Sequence, residues 1–238
     1  MVGNSAPMLP GGPTSRLPMH FFWLLDGSSS MDGKKIQSLN FAVAETIPSI
    51  RRTAESVAGL RLLVRALRFA TDVDWVVREP TPIAELQWHD IAAGGDTSTG
   101  KAINAVIDEL DKIDVRHRHY PPVVVLVTDG RNTDGKLYND ALQRLTAHPV
   151  GRKTQRYGIA IGADASIEEL QAFIGNDKTP VFEARNGDML ADFLRFVSVS
   201  SIKVSSQPTA EMADAIIKDM TIEARTAKEK ANPNSWVF

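Results

Sequence analysis

The chain has 238 residues and a formal net charge of −2, a length that fits one large domain with short appendages. Hydrophobic residues make up 43% of the chain, which is enough for an ordinary core, while the near-neutral charge gives no general attraction to nucleic acid or to an anionic membrane. Because cysteine is absent, a disulfide framework, a thiolate metal site and a cysteine nucleophile are all excluded.

The N-terminal residues 1–18 are rich in proline, glycine and serine. They contain a single basic residue, Arg16, and no apolar core segment, so they do not resemble a secretory signal. We expect a flexible leader here. Since no apolar run in the chain approaches the roughly 18 residues of a membrane span, we expect a cytoplasmic protein that does not cross a membrane.

The first predicted strand, residues 20–26, is the segment around which the rest of the chain is organised. It contains the apolar run Phe21–Leu25, and a continuous run of this kind is typical of a strand buried on both faces of a parallel sheet. The polar segment Asp26-Gly27-Ser28-Ser29-Ser30 therefore follows the carboxyl end of a central strand, which is the edge where ligands bind in open α/β sheets.

A helix is predicted next, from Gly33 to about Thr53. Pro48 lies inside this pattern, and because proline lacks a backbone N–H we expect the helix to kink or end near Thr46. The side expected to face the core is formed by Ile36, Leu39, Phe41, Val43, Ile47 and Ile50.

Strands and helices then alternate along the chain. The turn at residues 70–72 is too short for a crossover, so the third strand must run antiparallel to the second. The pattern predicts an α/β fold, with a doubly wound, mostly parallel six-stranded sheet in the order 3-2-1-4-5-6 and helices on both faces. The remaining strands are predicted at 60–69, 73–77, 123–127, 156–161 and 181–184, and the remaining helices at 102–110, 137–148, 167–174 and 189–199.

Apolar density falls after residue 200. We therefore expect one domain over residues 19–200 and a C-terminal extension or tail over 201–238, in which residues 211–224 could form an amphipathic helix.

Five oxygen-bearing side chains are predicted to share one crevice. Asp26, Ser28 and Ser30 follow the first strand, Asp129 follows the apolar fourth strand, and Thr97 lies in a glycine-rich loop between them. If the first and fourth strands are neighbours, their carboxyl ends meet where the winding of the sheet reverses. Hard oxygen donors suit Mg²⁺, with Mn²⁺ or Ca²⁺ as alternatives, and only two of the five carry charge, so a bound cation can still attract an outside carboxylate.

Simpler interpretations remain open for these residues. Aspartate and serine are favoured helix caps, so the first three could merely cap the following helix. Thr97 and Thr99 compete for the loop position, and one of them could be only a cap; the position two residues after Gly95 favours Thr97. The loop also approaches a phosphate-binding pattern, although Ala102 stands where that pattern needs serine or threonine.

Two other functional classes compete with a binding module. Asp26 could act as the nucleophile of a metal-dependent phosphohydrolase or phosphotransferase, although Ser28 stands where the usual second acid would be and neither strand-end loop holds a histidine or glutamate. Alternatively, the chain could be a structural scaffold whose site is vestigial.

The basic run at residues 116–119 is most simply a solvated loop, with a phosphate or acidic partner as the alternative.

Residues 19–200 resemble the von Willebrand factor A (vWA) domains, which carry a metal-ion-dependent adhesion site. Asp26-Gly27-Ser28-Ser29-Ser30 is similar to the family's first element, with Ser29 where the family usually has glycine. Gly95-Asp96-Thr97 looks like the second element, and Val127-Thr128-Asp129-Gly130 looks like the third. The resemblance implies that the serines and threonine touch the metal directly or through water, that the acids hold coordinating waters, and that an acidic side chain of a partner protein completes the site.

A narrower resemblance connects the chain with bacterial vWA domains of the tellurite-resistance-associated type. It rests on Arg16-Leu17-Pro18, on Ser29-Ser30-Met31, and on Gly33 with residues 36–40. This resemblance implies a non-enzymatic cytoplasmic adaptor in a stress response, working beside a kinase and a phosphatase of the PP2C class.

Overall fold

Strands and helices alternate along the part of the chain that the structure describes. The computed structural model describes residues 16–114 and 116–206, together with the single positions 215, 218, 219, 222 and 226. The strands are β1 (Leu17–Asp26), β2 (Leu60–Phe69), β3 (Val73–Pro82), β4 (Val123–Thr128), β5 (Gln155–Ile161) and β6 (Phe182–Ala184). The helices are α1 (Lys34–Ser56), α2 (Thr99–Leu110), α3 (Gly135–Ala147), α4 (Ile167–Ile174) and α5 (Gly187–Ser206).

The six strands form one sheet in the order β3-β2-β1-β4-β5-β6, so the predicted order is confirmed. β1 is parallel to both β2 and β4, and β3 is antiparallel to β2, as its short turn requires. Leu25 is paired with Val127, which brings the carboxyl ends of β1 and β4 side by side. The acids that follow these two strands therefore lie at the same edge of the sheet.

Helices cover both faces of the sheet, and each face has its own apolar core. Alternate residues of β1 point to opposite faces, so Phe21 and Trp23 pack with residues of α1 and α5, whereas Phe22 and Leu24 pack with residues of α2, α3 and α4. This double burial explains why β1 and β4 are apolar without interruption.

Helix α1 does not end at the proline. The sequence predicted a kink or an end near Thr46. The predicted end is wrong, because the helix runs from Lys34 through Pro48 to Ser56. Pro48 lies on the exposed side of α1, and so does Ala44, whose carbonyl would have accepted the missing backbone bond. Water can therefore reach that carbonyl, which makes the loss of one helical hydrogen bond tolerable.

A Pro48→Ala variant should be more stable than the wild type. Alanine restores the N–H and removes the ring from a helix interior, and this gain exceeds the smaller entropic advantage that proline confers on the unfolded chain. We expect about 1–2 kcal/mol of added stability, seen by thermal denaturation as a rise of roughly 3–6 °C in Tm. Glu45→Ala, at another exposed position of α1, should leave Tm nearly unchanged; a fall in Tm for Pro48→Ala would contradict this account.

Phe41 and several boundaries also differ from expectation. Phe41 is 56% exposed, because it lies two residues from the buried Leu39 and so faces the opposite side of a helix with about 3.6 residues per turn. β1 begins at Leu17, within the predicted leader, and α5 continues to Ser206, with Ile202 fully buried. Residues 201–206 are thus helical, although the predicted extension starts at 201.

Most of both predicted appendages lies outside the described residues. This holds for residues 1–15 of the leader and for most of the amphipathic segment 211–224, whose described positions 215, 218, 219 and 222 are helical. The division of the chain at 19–200 remains a prediction. Among the described residues, no helix combines the length and the apolarity needed to cross a bilayer.

Candidate metal centre

Asp26 ends β1 and is fully buried at the centre of the edge. Its Oδ1 accepts a hydrogen bond from the backbone N–H of Ser28 at 2.8 Å, and its Oδ2 accepts one from the Thr128 hydroxyl at 2.5 Å. Asp26 therefore shapes the loop after β1 and ties it to the end of β4. Burial raises the pKa of Asp26, whereas the hydrogen bonds from Ser28 and Thr128 lower it.

A chain of polar contacts joins the first loop to the end of β4. The hydroxyl oxygens of Ser28 and Ser30 lie 3.0 Å apart, and the Ser30 hydroxyl donates to Asp129 Oδ1 at 2.7 Å. Ser28 and Asp129 are buried, while Ser30 is exposed. The loop is a short 3-10 turn at residues 29–31, and within the described residues neither this turn nor α1 has a side-chain cap. The capping interpretation of these residues is therefore not supported.

Thr97 reaches the same edge from the glycine-rich loop before α2. A Cβ placed on Gly130 would lie 3.8 Å from the Thr97 hydroxyl oxygen and 3.8 Å from that of Ser30, so both hydroxyls border the space that Gly130 leaves open. The backbone of Thr97 is held by Thr133, whose N–H donates to the Thr97 carbonyl at 2.8 Å.

Neither threonine caps α2. The carboxylate of Asp134 accepts hydrogen bonds from the N–H groups of Gly100 and Lys101, both at 3.1 Å, and so caps α2 from the start of α3. The expectation that Thr97 or Thr99 would serve as a cap is wrong, since the cap is a residue more than thirty positions away in the chain. Thr99 is buried in the first turn of α2, and Thr97 remains the better candidate for the site.

Ser29, which stands where the resembled vWA motif usually has glycine, connects two loops. Its N–H donates to the Gly95 carbonyl at 2.9 Å, its hydroxyl donates to the same carbonyl at 3.0 Å, and the hydroxyl accepts from Gly95 N–H at 2.9 Å. Gly95 has φ +92°, and a Cβ there would lie 2.6 Å from the Thr71 hydroxyl. Glycine is thus required at residue 95, while the serine adds contacts that a glycine at residue 29 could not make.

Arg68, near the end of β2, binds the backbone of the same loops. Its Nη2 donates to the carbonyls of Gly27 at 2.9 Å and Gly94 at 2.8 Å, and its Nε donates to Ala92 at 2.7 Å. Its Nη1 pairs with Asp74 at 3.0 Å. A Cβ on Gly27 would lie 2.4 Å from Arg68 Nε, so glycine in the first motif leaves room for the guanidinium. Sequence reasoning missed this role.

Lys35 is a second residue that sequence reasoning missed. Its Nζ lies 2.6 Å from Asp129 Oδ2 and forms an ion pair with a carboxylate that is itself fully buried. The only signal in the sequence is a lysine nine positions after Asp26, at the start of the predicted helix.

The donor set fits a hard divalent cation. The five predicted residues offer two carboxylates and three hydroxyls at one edge, and oxygen donors of this kind suit Mg²⁺, Mn²⁺ or Ca²⁺. Among the described residues, including those at this edge, no three or more histidine, aspartate or glutamate side chains cluster closely enough to hold a metal ion by themselves. Any ion held here would thus have few anionic ligands.

The contacts of nearby residues bear on two competing interpretations. Lys101, the lysine of the phosphate-loop-like segment, donates to the Thr71 carbonyl and to Asp72, both at 2.7 Å, so it faces the β2–β3 turn. In the basic run at 116–119, Arg116 and His117 pair with the half-buried Asp114. These local pairs fit the solvated-loop interpretation, and the alternative of a phosphate or acidic partner stays a prediction.

Solved structures of several vWA proteins have a similar fold. The ArnB paralogue VWA2 from Sulfolobus acidocaldarius gives a TM-score of 0.56 at 18% identity, covering 76% of this chain and 45% of that one. A von Willebrand factor type A protein from Catenulispora acidiphila gives 0.58 at 16% identity, covering 79% and 43%. Proximal thread matrix protein 1 from the mussel byssus, with zinc in its metal-ion-dependent adhesion site, gives 0.58 at 15% identity, covering 79% and 46%.

This chain spans less than half the length of each of these three structures. No curated protein sequence matches it. The family model of the von Willebrand factor type A domain matches residues 22–195, which is more than half of the chain and includes all five predicted site residues. The chain therefore belongs to the von Willebrand factor type A domain family.

Proposed function

We propose that this protein is a non-enzymatic interaction module that binds an acidic group of a partner protein through a divalent metal. Asp26, Ser28, Ser30, Thr97 and Asp129 would hold the ion, either directly or through coordinating water. The observation that carries the proposal is the contact chain from Ser28 to Ser30 to Asp129, with oxygens 3.0 Å and 2.7 Å apart, at an edge where Ser30 is exposed.

The chemistry of these residues supports capture of a carboxylate. A cation bound among hydroxyls and only two carboxylates would supply unneutralised positive charge toward solvent, which attracts an acidic side chain. Mg²⁺ is the proposed ion, with Mn²⁺ or Ca²⁺ as alternatives, because all donors are hard oxygens. The zinc in the mussel thread protein supports metal occupancy of such a site in this family.

We also propose a cellular setting, which rests on the motif resemblance alone. The segments at residues 16–18 and 29–31, together with Gly33 and residues 36–40, are similar to those of bacterial domains associated with tellurite resistance. On this basis the protein would be a cytoplasmic adaptor in a stress response or phosphorylation-linked system, with a kinase or a PP2C-type phosphatase as its partner.

The geometry at Asp26 disfavours the alternative of a phosphohydrolase or phosphotransferase. A nucleophilic carboxylate needs a free oxygen that faces the substrate. Asp26 is fully buried, and each of its oxygens accepts a hydrogen bond from Ser28 or Thr128. These contacts support a role for Asp26 in organising the loop and in holding coordinating water, and not in attack on a substrate.

Isothermal titration with Mg²⁺ and Mn²⁺ tests the proposal. The wild type should bind one ion, and Asp129→Asn or Ser30→Ala should weaken binding at least about tenfold, because the first removes the carboxylate charge and the second removes a hydroxyl oxygen from the site. Asp96→Asn is the matched control, since Asp96 neighbours Thr97 but is exposed, and its carboxylate has no partner among the described residues.

Affinity capture with and without EDTA, read by mass spectrometry, then identifies partners. Capture of the partner should need both divalent metal and Asp129. If the wild type shows neither heat of binding nor a thermal shift with either ion, the site is vestigial and the chain is a scaffold. If capture survives both EDTA and Asp129→Asn, the metal bridge is wrong.

A further inference from the structure

Asp129 has no free oxygen facing solvent. Oδ1 accepts the hydrogen bond from Ser30, and Oδ2 pairs with Lys35 Nζ at 2.6 Å. The Asp129 side chain has 0% exposure, whereas that of Lys35 has 19%. The ammonium of Lys35, the more exposed partner, therefore occupies an oxygen of the carboxylate that is proposed to bind the metal.

The position of Lys35 is electrostatically unfavourable for the helix in which it lies. Lys35 lies in the first turn of α1, which contains no acidic residue, and a cation at a helix N-terminus opposes the helix dipole. Its neighbour Lys34 is exposed, with no ion pair among the described residues, as expected of an ordinary surface lysine. Lys35 instead turns inward toward Asp129.

The end of β5 leaves room for the lysine stem. A Cβ on Gly162 would lie 3.6 Å from Lys35 Cε and 3.7 Å from its Nζ. Gly162 has φ +78°, a conformation that side chains rarely adopt, so the chain turns away from the sheet here without placing a side chain against the lysine. The ammonium thus reaches Asp129 between two elements, α1 and the β5 terminus.

We propose that Lys35 is the resident cation of this site, and that its ammonium and a divalent metal occupy Asp129 alternately. This inference rests on the proposed metal-binding function. Two cations at one buried carboxylate repel each other strongly because the surroundings screen them poorly. Metal binding must therefore displace the ammonium, and the flexible four-carbon stem lets it swing to the exposed rim.

Two linked consequences follow from alternate occupancy. Lys35 stabilises the metal-free protein, because without it Asp129 would be a buried carboxylate lacking a countercharge. For the same reason Lys35 weakens metal affinity, since binding must first break the ion pair. The lysine sets the metal concentration at which the site fills.

Titration with Mn²⁺ alone, followed by calorimetry, tests the affinity. Lys35→Met should bind Mn²⁺ about tenfold or more tightly than the wild type, in the usual range of coupling between two ligands of one site. Lys34→Met removes the same charge one residue away and should bind as the wild type does. Lys35→Arg keeps a cation at the position and should also stay close to the wild type.

Thermal denaturation provides a second readout that needs no metal. In EDTA, Lys35→Met should melt about 5 °C or more below Lys34→Met, and saturating Mn²⁺ should close most of that gap. Equal Mn²⁺ affinity of Lys35→Met and the wild type would overturn the role of Lys35 while leaving the metal site intact. Absence of Mn²⁺ binding in every variant would overturn the metal site, and this inference with it.

Discussion

An Arg68→Met variant should lose both stability and metal affinity. Methionine keeps most of the length of the side chain but cannot donate to the carbonyls of Gly27, Ala92 and Gly94, which Arg68 holds at 2.7–2.9 Å. Hydrogen bonds from a charged donor are worth about 1.5–3 kcal/mol each, and water replaces part of that at a side chain that is 18% exposed. We expect a net loss of about 3 kcal/mol, measured as a fall of roughly 6–12 °C in Tm.

The effect on metal binding follows from which loops Arg68 joins. Gly27 belongs to the first motif, and Gly94 directly precedes the second, so the guanidinium fixes the distance between two groups of proposed ligands. Residues that orient metal ligands typically change affinity by 10–100-fold, and we expect a loss of about tenfold by calorimetry. Arg68→Lys should recover little of the lost metal affinity, because an ammonium lacks the planar guanidinium that donates to several carbonyls at once.

Arg61→Met is the matched control for Arg68. Arg61 lies on the same strand, is exposed, and has no side-chain hydrogen bond or ion pair within the described part of the chain. If Arg68→Met matches Arg61→Met in Tm, Arg68 does not hold the loops. If Arg68→Met lowers Tm but binds Mn²⁺ as the wild type does, the arginine supports the fold and leaves the site geometry unaffected.

The sheet was predictable because burial restricts which residues a strand can contain. A strand covered on both faces must be apolar at every position, and the runs at residues 21–25 and 123–127 satisfy that condition. The short turn at 70–72 makes the third strand antiparallel to the second. The rest of the order was predicted from the arrangement common in doubly wound sheets, since no strand's neighbours can be read from its own sequence. The position of the motif residues at one edge of the sheet follows from the topology. Their role as metal ligands remains a prediction.

The supporting contacts were not predictable from pattern or spacing. Ser29 meets Gly95 across 66 residues, and Lys35 meets Asp129 across 94. Each contact depends on a single polar side chain that finds a partner after folding, and such contacts have no periodicity. The same limit applies to Pro48, whose effect depends on whether the carbonyl it leaves unpaired faces water or the core.

A Gly100→Ala variant should be strongly destabilised, contrary to the usual effect of this substitution in a helix. Alanine in place of glycine normally stabilises a helix by about 1 kcal/mol. Here a Cβ would lie 2.5 Å from the backbone N of Tyr138 and 2.7 Å from the carbonyl carbon of Leu137. Both atoms belong to the backbone of α3 and cannot rotate away, so α2 and α3 must separate. We expect a loss of about 3 kcal/mol, or roughly 6–12 °C in Tm.

The separation of these helices should also disturb the proposed metal site. Asp134, at the start of α3, caps α2 through the N–H groups of Gly100 and Lys101, and Thr133 holds the backbone of Thr97. Moving α2 away from α3 pulls on both connections, so Mn²⁺ affinity should fall together with Tm. Gly135→Ala, in the same pair of helices, meets only Asn132 Oδ1 at an ordinary 3.7 Å and should be neutral or slightly stabilising. Equal Tm and equal Mn²⁺ affinity of the two alanine variants would show that the close approach of α2 and α3 is not needed to hold Thr97 at the edge of the sheet.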